Sequence, residues 1–400
     1  MRSISPTAFS DAIHSVTLYN IMKKLFANIT LIVSILSLIA CEEKQQELEI
    51  SANLDGFENN SKVLVSEIAS QKVLDSTIII DGKFKVNGIL DSPPSLVSIM
   101  ITSKDGNERN FTSLFIGNEK IAISGNKNEF SYGAETSGSK YNGLKVEYEK
   151  KVNPLFDKRD EKLQRMFSLR SEGKWNDSLQ FAYWSETGII TEIDKETTKI
   201  TKQFISDNIN SHFALNKLVT DKNEFSQEFV QRQLNRLEPE FQKTKYVKVL
   251  ETYLENKPLK KGSSFYNFRA ENQNGKTVEF ASFFNTTKDF TLLEFSSPHC
   301  SWCKKALPEI KQLEKEESDK LQVITYNVDK NKKDWLKTTK SNGITWTSLW
   351  NENGRYSDAY TKYSVFGTPT YYLFDRQGKV LKKWIGYDEK LISNIKNSIK

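Results

Sequence analysis

Cys300-Ser301-Trp302-Cys303 places two thiols three positions apart, so their sulfurs can meet within one helical turn. A buried strand is predicted just before them, Phe290-Thr291-Leu292-Leu293-Glu294-Phe295, and a helix from Lys304 onward. A thiol at a helix start faces unpaired amides and the positive end of the helix dipole, which favour the thiolate. In such settings its pKa falls to roughly 3.5–7.5, against about 8.5 for a free thiol. The chemistry this permits is thiol–disulfide exchange, with Cys300 attacking and Cys303 resolving. The remaining cysteine, Cys41, has a context of its own, so no thiol is left for a structural disulfide. A second Cys pair is lacking and His212 and His299 give no Cys/His ligand pattern, so no metal is expected. The only redox group expected is the disulfide itself.

Other residues must serve those sulfurs. Cys303, inside the first turn, needs a base. Glu294 precedes Cys300 by six positions in an apolar strand, where burial raises a carboxyl pKa and equips it to relay a proton. A strand-end acid reaching water or a lysine is the other reading. His299 either favours the thiolate when protonated or is an exposed loop residue. Trp302 is expected as an exposed contact residue shielding the disulfide. Pro308 can kink the helix that carries the cysteines. Val365-Phe366-Gly367-Thr368-Pro369-Thr370 opens a later strand, and its Thr-Pro step suits a cis peptide, which for X–Pro needs only about 0.5–1 kcal/mol over trans.

On these residues the last 140 or so positions resemble the thioredoxin fold, within it the membrane-tethered, extracytoplasmic TlpA/ResA-like disulfide reductases. Phe265–Phe283, with Asn274-Gly275-Lys276 between short strands, is similar to the extra hairpin of that branch. The resemblance implies Cys300 as attacking thiolate, Cys303 as resolving thiol, Pro369 as the cis-proline and Thr368 beside the substrate disulfide. It also implies a membrane electron-donor thiol protein as partner and, for some relatives, a part in cytochrome c maturation. Three departures stand out. Ser301-Trp302 replaces the Gly-Pro of thioredoxin, Ser296-Ser297-Pro298-His299 replaces aromatic residues, and Ala306 stands where some relatives carry an active-site glutamate.

Upstream, Lys23-Lys24 precede an apolar run from Leu25 to Ala40 that ends in Leu38-Ile39-Ala40-Cys41 and turns polar at Glu42. A charged start, a short apolar stretch and a small residue before the cut describe a secretory signal over residues 1–40, with the true start at Met22. About sixteen residues is short for a transmembrane anchor, which needs roughly twenty. Leu-Ile-Ala-Cys resembles the lipobox of bacterial lipoproteins. That resemblance implies a diacylated Cys41 and an extracytoplasmic, membrane-held protein of the cell envelope, where disulfides persist.

Between anchor and dithiol, residues 41–127 read as all-β. Leu48, Ile50, Ala52 and Leu54 alternate with polar neighbours, and about seven short strands follow one another as in a small sandwich. Asp81-Gly82 between Ile78-Ile79-Ile80 and Phe84-Lys85-Val86 signals a type I′ hairpin. This stretch resembles the β-domain of unknown function that precedes thioredoxin domains in many bacterial lipoproteins. Residues 128–140, rich in Gly and Ser, read as a linker, and 141–257 as helical, with stripes at Phe229/Val230, Leu234, Leu237 and at Tyr246, Leu250, Tyr253, Leu254. Residues 258–400 alternate strands and helices, as an α/β unit with a mixed sheet does. Tyr183 and Trp184 are core or groove-lining residues rather than a ligand box.

The charge of +6 is spread along the chain without a basic, aromatic-interleaved block, which excludes nucleic acid as the expected partner. The expectation is an envelope lipoprotein that reduces disulfides of envelope proteins. A disulfide oxidase or isomerase, and a non-redox lipid-anchored binding protein, are the alternatives.

Overall fold

The computed structural model describes residues 47–132 and 134–400, so the signal-like segment and Cys41 lie outside the described residues. Among the described residues no helix is long and apolar enough to cross a membrane.

The alternation at residues 48–54 builds β1 (Leu48–Asp55). It is followed by β2 (Lys62–Glu67), β3 (Val73–Ile78), β4 (Lys83–Gly88), β5 (Ser95–Thr102), β6 (Arg109–Ile116), β7 (Lys120–Asn126) and β8 (Glu135–Ser137). Two four-stranded sheets result, ordered β4-β1-β7-β8 and β3-β2-β5-β6. Their apolar faces meet in one core, with Ile50, Val86 and Ile123 on one side and Val65, Ile99 and Leu114 on the other.

Two expectations need correction here. Asp81 and Gly82 do adopt the positive φ of a type I′ turn (50° and 72°), and Ile80 and Lys83 exchange both backbone hydrogen bonds. The pairing stops at that bridge, because β3 pairs with β2 while β4 pairs with β1. Ile79 is fully buried, its amide donates to Ser61 O and its carbonyl accepts from Asn60 N, so the turn carries the chain from one sheet to the other. Nor are residues 128–140 a spacer. Glu135–Ser137 pair with β7, and Phe130 is fully buried edge-on to Phe57, so the segment closes the sandwich.

The helical region comprises α1 (Asn142–Ser171), α2 (Asp177–Trp184), α3 (Ile189–Asn208), α4 (His212–Thr220), α5 (Gln227–Leu234), α6 (Pro239–Gln242) and α7 (Lys245–Glu255). Ser211 and Ser226 cap α4 and α5 by accepting the amides of Ala214 and Phe229. Its core of Phe204, Leu215, Leu218, Val230, Leu250 and Tyr253 also takes in Phe115 of β6, whose ring meets Phe213 at 5.2 Å. Tyr183 is buried in a small satellite cluster, while Trp184 is partly exposed.

The C-terminal domain runs β9 (Arg269–Asn272), β10 (Thr277–Glu279), β11 (Phe290–Ser296), α8 (Ser301–Glu316), β12 (Leu321–Asn327), α9 (Lys332–Ser341), β13 (Thr347–Trp350), α10 (Asp358–Lys362), β14 (Thr370–Asp375), β15 (Val380–Ile385) and α11 (Leu391–Ser398). Its seven-stranded mixed sheet has the order β10-β9-β13-β12-β11-β14-β15, with β11 parallel to β12 and antiparallel to β14. Leu292 on one face of β11 packs with Ile310 and Leu313 of α8. Leu293 and Phe295 on the other face pack among Tyr326, Tyr363, Tyr372 and Phe374. Side chains alternate along a strand, so Glu294 shares the face of Leu292, beneath α8.

Candidate active site

Cys300 is the N-cap of α8 and Cys303 lies in its first turn. The two form a disulfide with Cα atoms 5.2 Å apart. The Cys303 amide points at Cys300 Sγ, 3.0 Å away, so a helix N-terminal N–H is aimed where a thiolate charge would develop. Cys303 is 5% exposed while Cys300 is only half-buried, so Cys300 is the sulfur an incoming disulfide can reach. Cys300 Sγ also lies 3.3 Å from the carbonyl oxygen of Thr368, and the Thr368–Pro369 peptide is cis. Strand-helix turn and proline loop, sixty-odd residues apart in sequence, thus meet at one sulfur.

Glu294 is buried beneath this turn. Burial pushes its carboxyl up to about 7, against the lowering effect of hydrogen bonds from Thr325 and Tyr371. Thr325 Oγ1 donates to Oε2 at 3.1 Å and Tyr371 Oη to Oε1 at 3.4 Å. Both partners sit directly across from Glu294 in the sheet register, one on β12 and one on β14, which puts all three side chains on the same face. Trp346 Nε1 donates in turn to Thr325 Oγ1 at 2.9 Å, fixing the direction of that hydroxyl. Glu294 and Cys303 line one cavity of about 60 Å³, with Thr325, Asn327 and Ser348, enough for a few water molecules among polar groups. A carboxyl poised near neutrality and the buried Cys303 sulfur therefore line the same cavity.

The turn before Cys300 has its own fastening. Ser297 Oγ donates to the buried carboxylate of Asp329 and accepts the His299 amide at 3.1 Å. The sequence marks Ser297 only as a departure from aromatic residues and gives no signal for Asp329, Thr325 or Tyr371; only strand register could have pointed to the last two. His299 Nε2 lies 3.8 Å from Asp334 Oδ2, both side chains being largely exposed, which leaves that pair weak. Trp302 is exposed, stacks on Tyr387 with centroids 6.4 Å apart, and has Lys305 Nζ 5.5 Å from both rings. Ala306 is fully buried and brings no carboxylate, leaving Glu294 as the acid that shares the chamber with Cys303.

Residues 288–380 match a family model described as thioredoxin-like, and residues 48–144 match a domain of unknown function (DUF4369). No curated protein matches the chain. Among solved structures, the chain is similar to the thioredoxin domain of a thiol-disulfide oxidoreductase from Bacteroides vulgatus, with 21% identity over 36% of this chain and 99% of that one and a TM-score of 0.32. It is also similar to a thiol-disulfide oxidoreductase from Bacteroides fragilis, with 24% identity over 34% of this chain and 98% of that one and a TM-score of 0.31.

Proposed function

From the premise that the C-terminal domain is a thioredoxin-like oxidoreductase, we propose that this chain reduces disulfide bonds of other proteins in the cell envelope. The observation that carries this is the Cys303 amide aimed at a reachable Cys300 sulfur beside the Thr368–Pro369 loop. In the reduced protein the Cys300 thiolate attacks one sulfur of a substrate disulfide. The S–S bond breaks, the leaving sulfur takes a proton, and a mixed disulfide joins Cys300 to the substrate. Cys303 then gives its proton to the Glu294 carboxylate and attacks Cys300 Sγ. The second substrate sulfur leaves as a thiolate, the Cys300–Cys303 disulfide closes, and two electrons have passed to the substrate. With a pKa of about 7, Glu294 is part ionised at neutral pH and can accept that proton.

Each turnover ends with the chain oxidised, so a thiol donor must restore the dithiol; a membrane-held thiol protein is the partner this reading supplies. The reading also has Cys41 acylated and the chain held on a membrane surface with its catalytic domain in the envelope. Fatty-acid labelling that persists in Cys41→Ser would contradict the anchor.

The test of function is equilibration of the Cys300–Cys303 couple with glutathione buffers, followed by mass spectrometry of the alkylated free thiols, together with insulin reduction. A reductase should lie near the roughly −270 mV of thioredoxin and precipitate insulin catalytically. A potential of about −120 to −180 mV would assign oxidase or isomerase work instead. Failure to cycle at all would end the redox reading.

A further inference from the structure

The loop that faces Cys300 is fastened carbonyl by carbonyl. Lys383 Nζ donates to Ser364 O at 3.2 Å, Thr370 Oγ1 to Gly367 O at 2.7 Å, and the Gly386 amide to Pro369 O at 2.8 Å. Those donors all belong to the C-terminal domain. The carbonyl of Val365 is held differently, by Asn223 Nδ2 at 3.4 Å, from a residue 142 positions away in the helical region. Asn223 sits on the one-turn helix Lys222–Glu224 between α4 and α5. Its neighbour Lys222 is 3% exposed, with Nζ 5.7 Å from the ring of Tyr360 in α10, and the Tyr360 carbonyl accepts the Val365 amide at 3.1 Å. One turn of the helical region thus grips the approach to the loop at two points. Asn223 Oδ1 is buried with no partner, and turning the amide over would set oxygen against the Val365 carbonyl. The geometry holds Nδ2 on Val365 even though the other end of the amide goes unpaired.

We infer that Asn223 is a positioning residue for disulfide exchange, setting from the helical region the loop that places Thr368 and Pro369 beside Cys300. This deepens the functional reading above and rests on it. The helical region is then part of the machinery that receives the substrate, because the backbone a substrate disulfide must approach is anchored partly outside the C-terminal domain. Asn223 touches neither sulfur, so its removal acts on the encounter with substrate and leaves the dithiol's own chemistry as it was.

The test uses the full chain with Asn223→Leu, which keeps the branched outline and removes the donor, and Asn223→Asp, which opposes Val365 O with an acceptor. Insulin reduction should lose about tenfold in kcat/KM in both variants, carried by KM, as expected for a displaced docking element. The glutathione-equilibrium potential and the rate of Cys300 alkylation should match wild type. Independently of any activity, the amides of Val365 and Gly386 should exchange with deuterium at least about fivefold faster. Unchanged exchange at both amides overturns the proposal. So does a shift in potential matching the loss in activity, which would place the effect in the dithiol. Should the wild-type chain fail to reduce insulin, the functional reading falls while the exchange measurement still decides whether Asn223 sets the loop. Asn223→Ser, smaller and polar, takes the place of the leucine variant if that one does not fold.

Discussion

Replacing Cys303 with serine should turn the chain into a trap. Cys300 keeps the amide of residue 303 aimed at its sulfur, so attack on a substrate disulfide proceeds, but the mixed disulfide has no internal thiol to release it. Incubated with a disulfide-bonded protein, Cys303→Ser should accumulate a covalent complex that a reductant dissolves. Cys300→Ser should form none, since the 5%-exposed Cys303 is out of a substrate's reach. Turnover in either variant should fall at least about 10³-fold, as it does when a nucleophile that works as part of a unit is removed. Non-reducing electrophoresis reads the outcome. A trapped complex with Cys300→Ser in place of Cys303→Ser would reverse the assigned roles.

The second large effect belongs to Glu294. Glu294→Gln keeps the shape and the acceptor for Thr325 but cannot take a proton, so release of the mixed disulfide should slow about 10²-fold. Its rate should also lose the inflection near pH 7 that the wild-type carboxyl imposes. A stability effect of definite sign accompanies this. The carboxyl is raised from 4.5 to about 7 by burial, so between those values the folded state binds more protons than the unfolded state. Stability therefore falls as pH rises through that window, by about 3 kcal/mol for a shift of this size. Urea unfolding of the oxidised protein, in which neither cysteine titrates, should show wild type weakening from pH 4.5 to 7.5 relative to Glu294→Gln. A difference between the two that stays flat with pH would mean that Glu294 reaches water and holds an ordinary pKa.

The sequence places the cysteine pair and a carboxyl beneath it close together for a simple reason. β11 is a continuous apolar run, so one carboxyl inside it, six residues before a CxxC, has nowhere to go but under the helix that follows. What orients that carboxyl was hidden, because Thr325 and Tyr371 reach it through strand register, and no local pattern records which residues face each other across a sheet. β13 carries no strand pattern in the sequence, since it opens on the polar pair Thr347-Ser348. Its polarity is absorbed inside the fold, where the indole N–H of Trp335 donates to Ser348 Oγ at 2.7 Å. The supposed linker at 128–140 misled by composition, since Gly and Ser dominate the eye while Phe130 does the packing. Likewise the Asp81-Gly82 turn was right in its dihedrals and wrong in its partners. A turn fixes local geometry, while the burial of Ile79 decides which strands pair. The grip of Asn223 on Val365, across 142 residues, has no sequence signature at all.

One measurement bears most directly on the central claim, that a thiolate at position 300 is present near neutral pH. The reduced protein is alkylated with iodoacetamide across pH 4 to 10, and the modified cysteine is identified by mass spectrometry. The predicted result is a single reactive site, Cys300, half-maximal somewhere between about 3.5 and 7.5, with Cys303 protected. If neither cysteine reacts until pH passes the roughly 8.5 of a free thiol, the helix start does nothing for the sulfur and the proposed chemistry is contradicted.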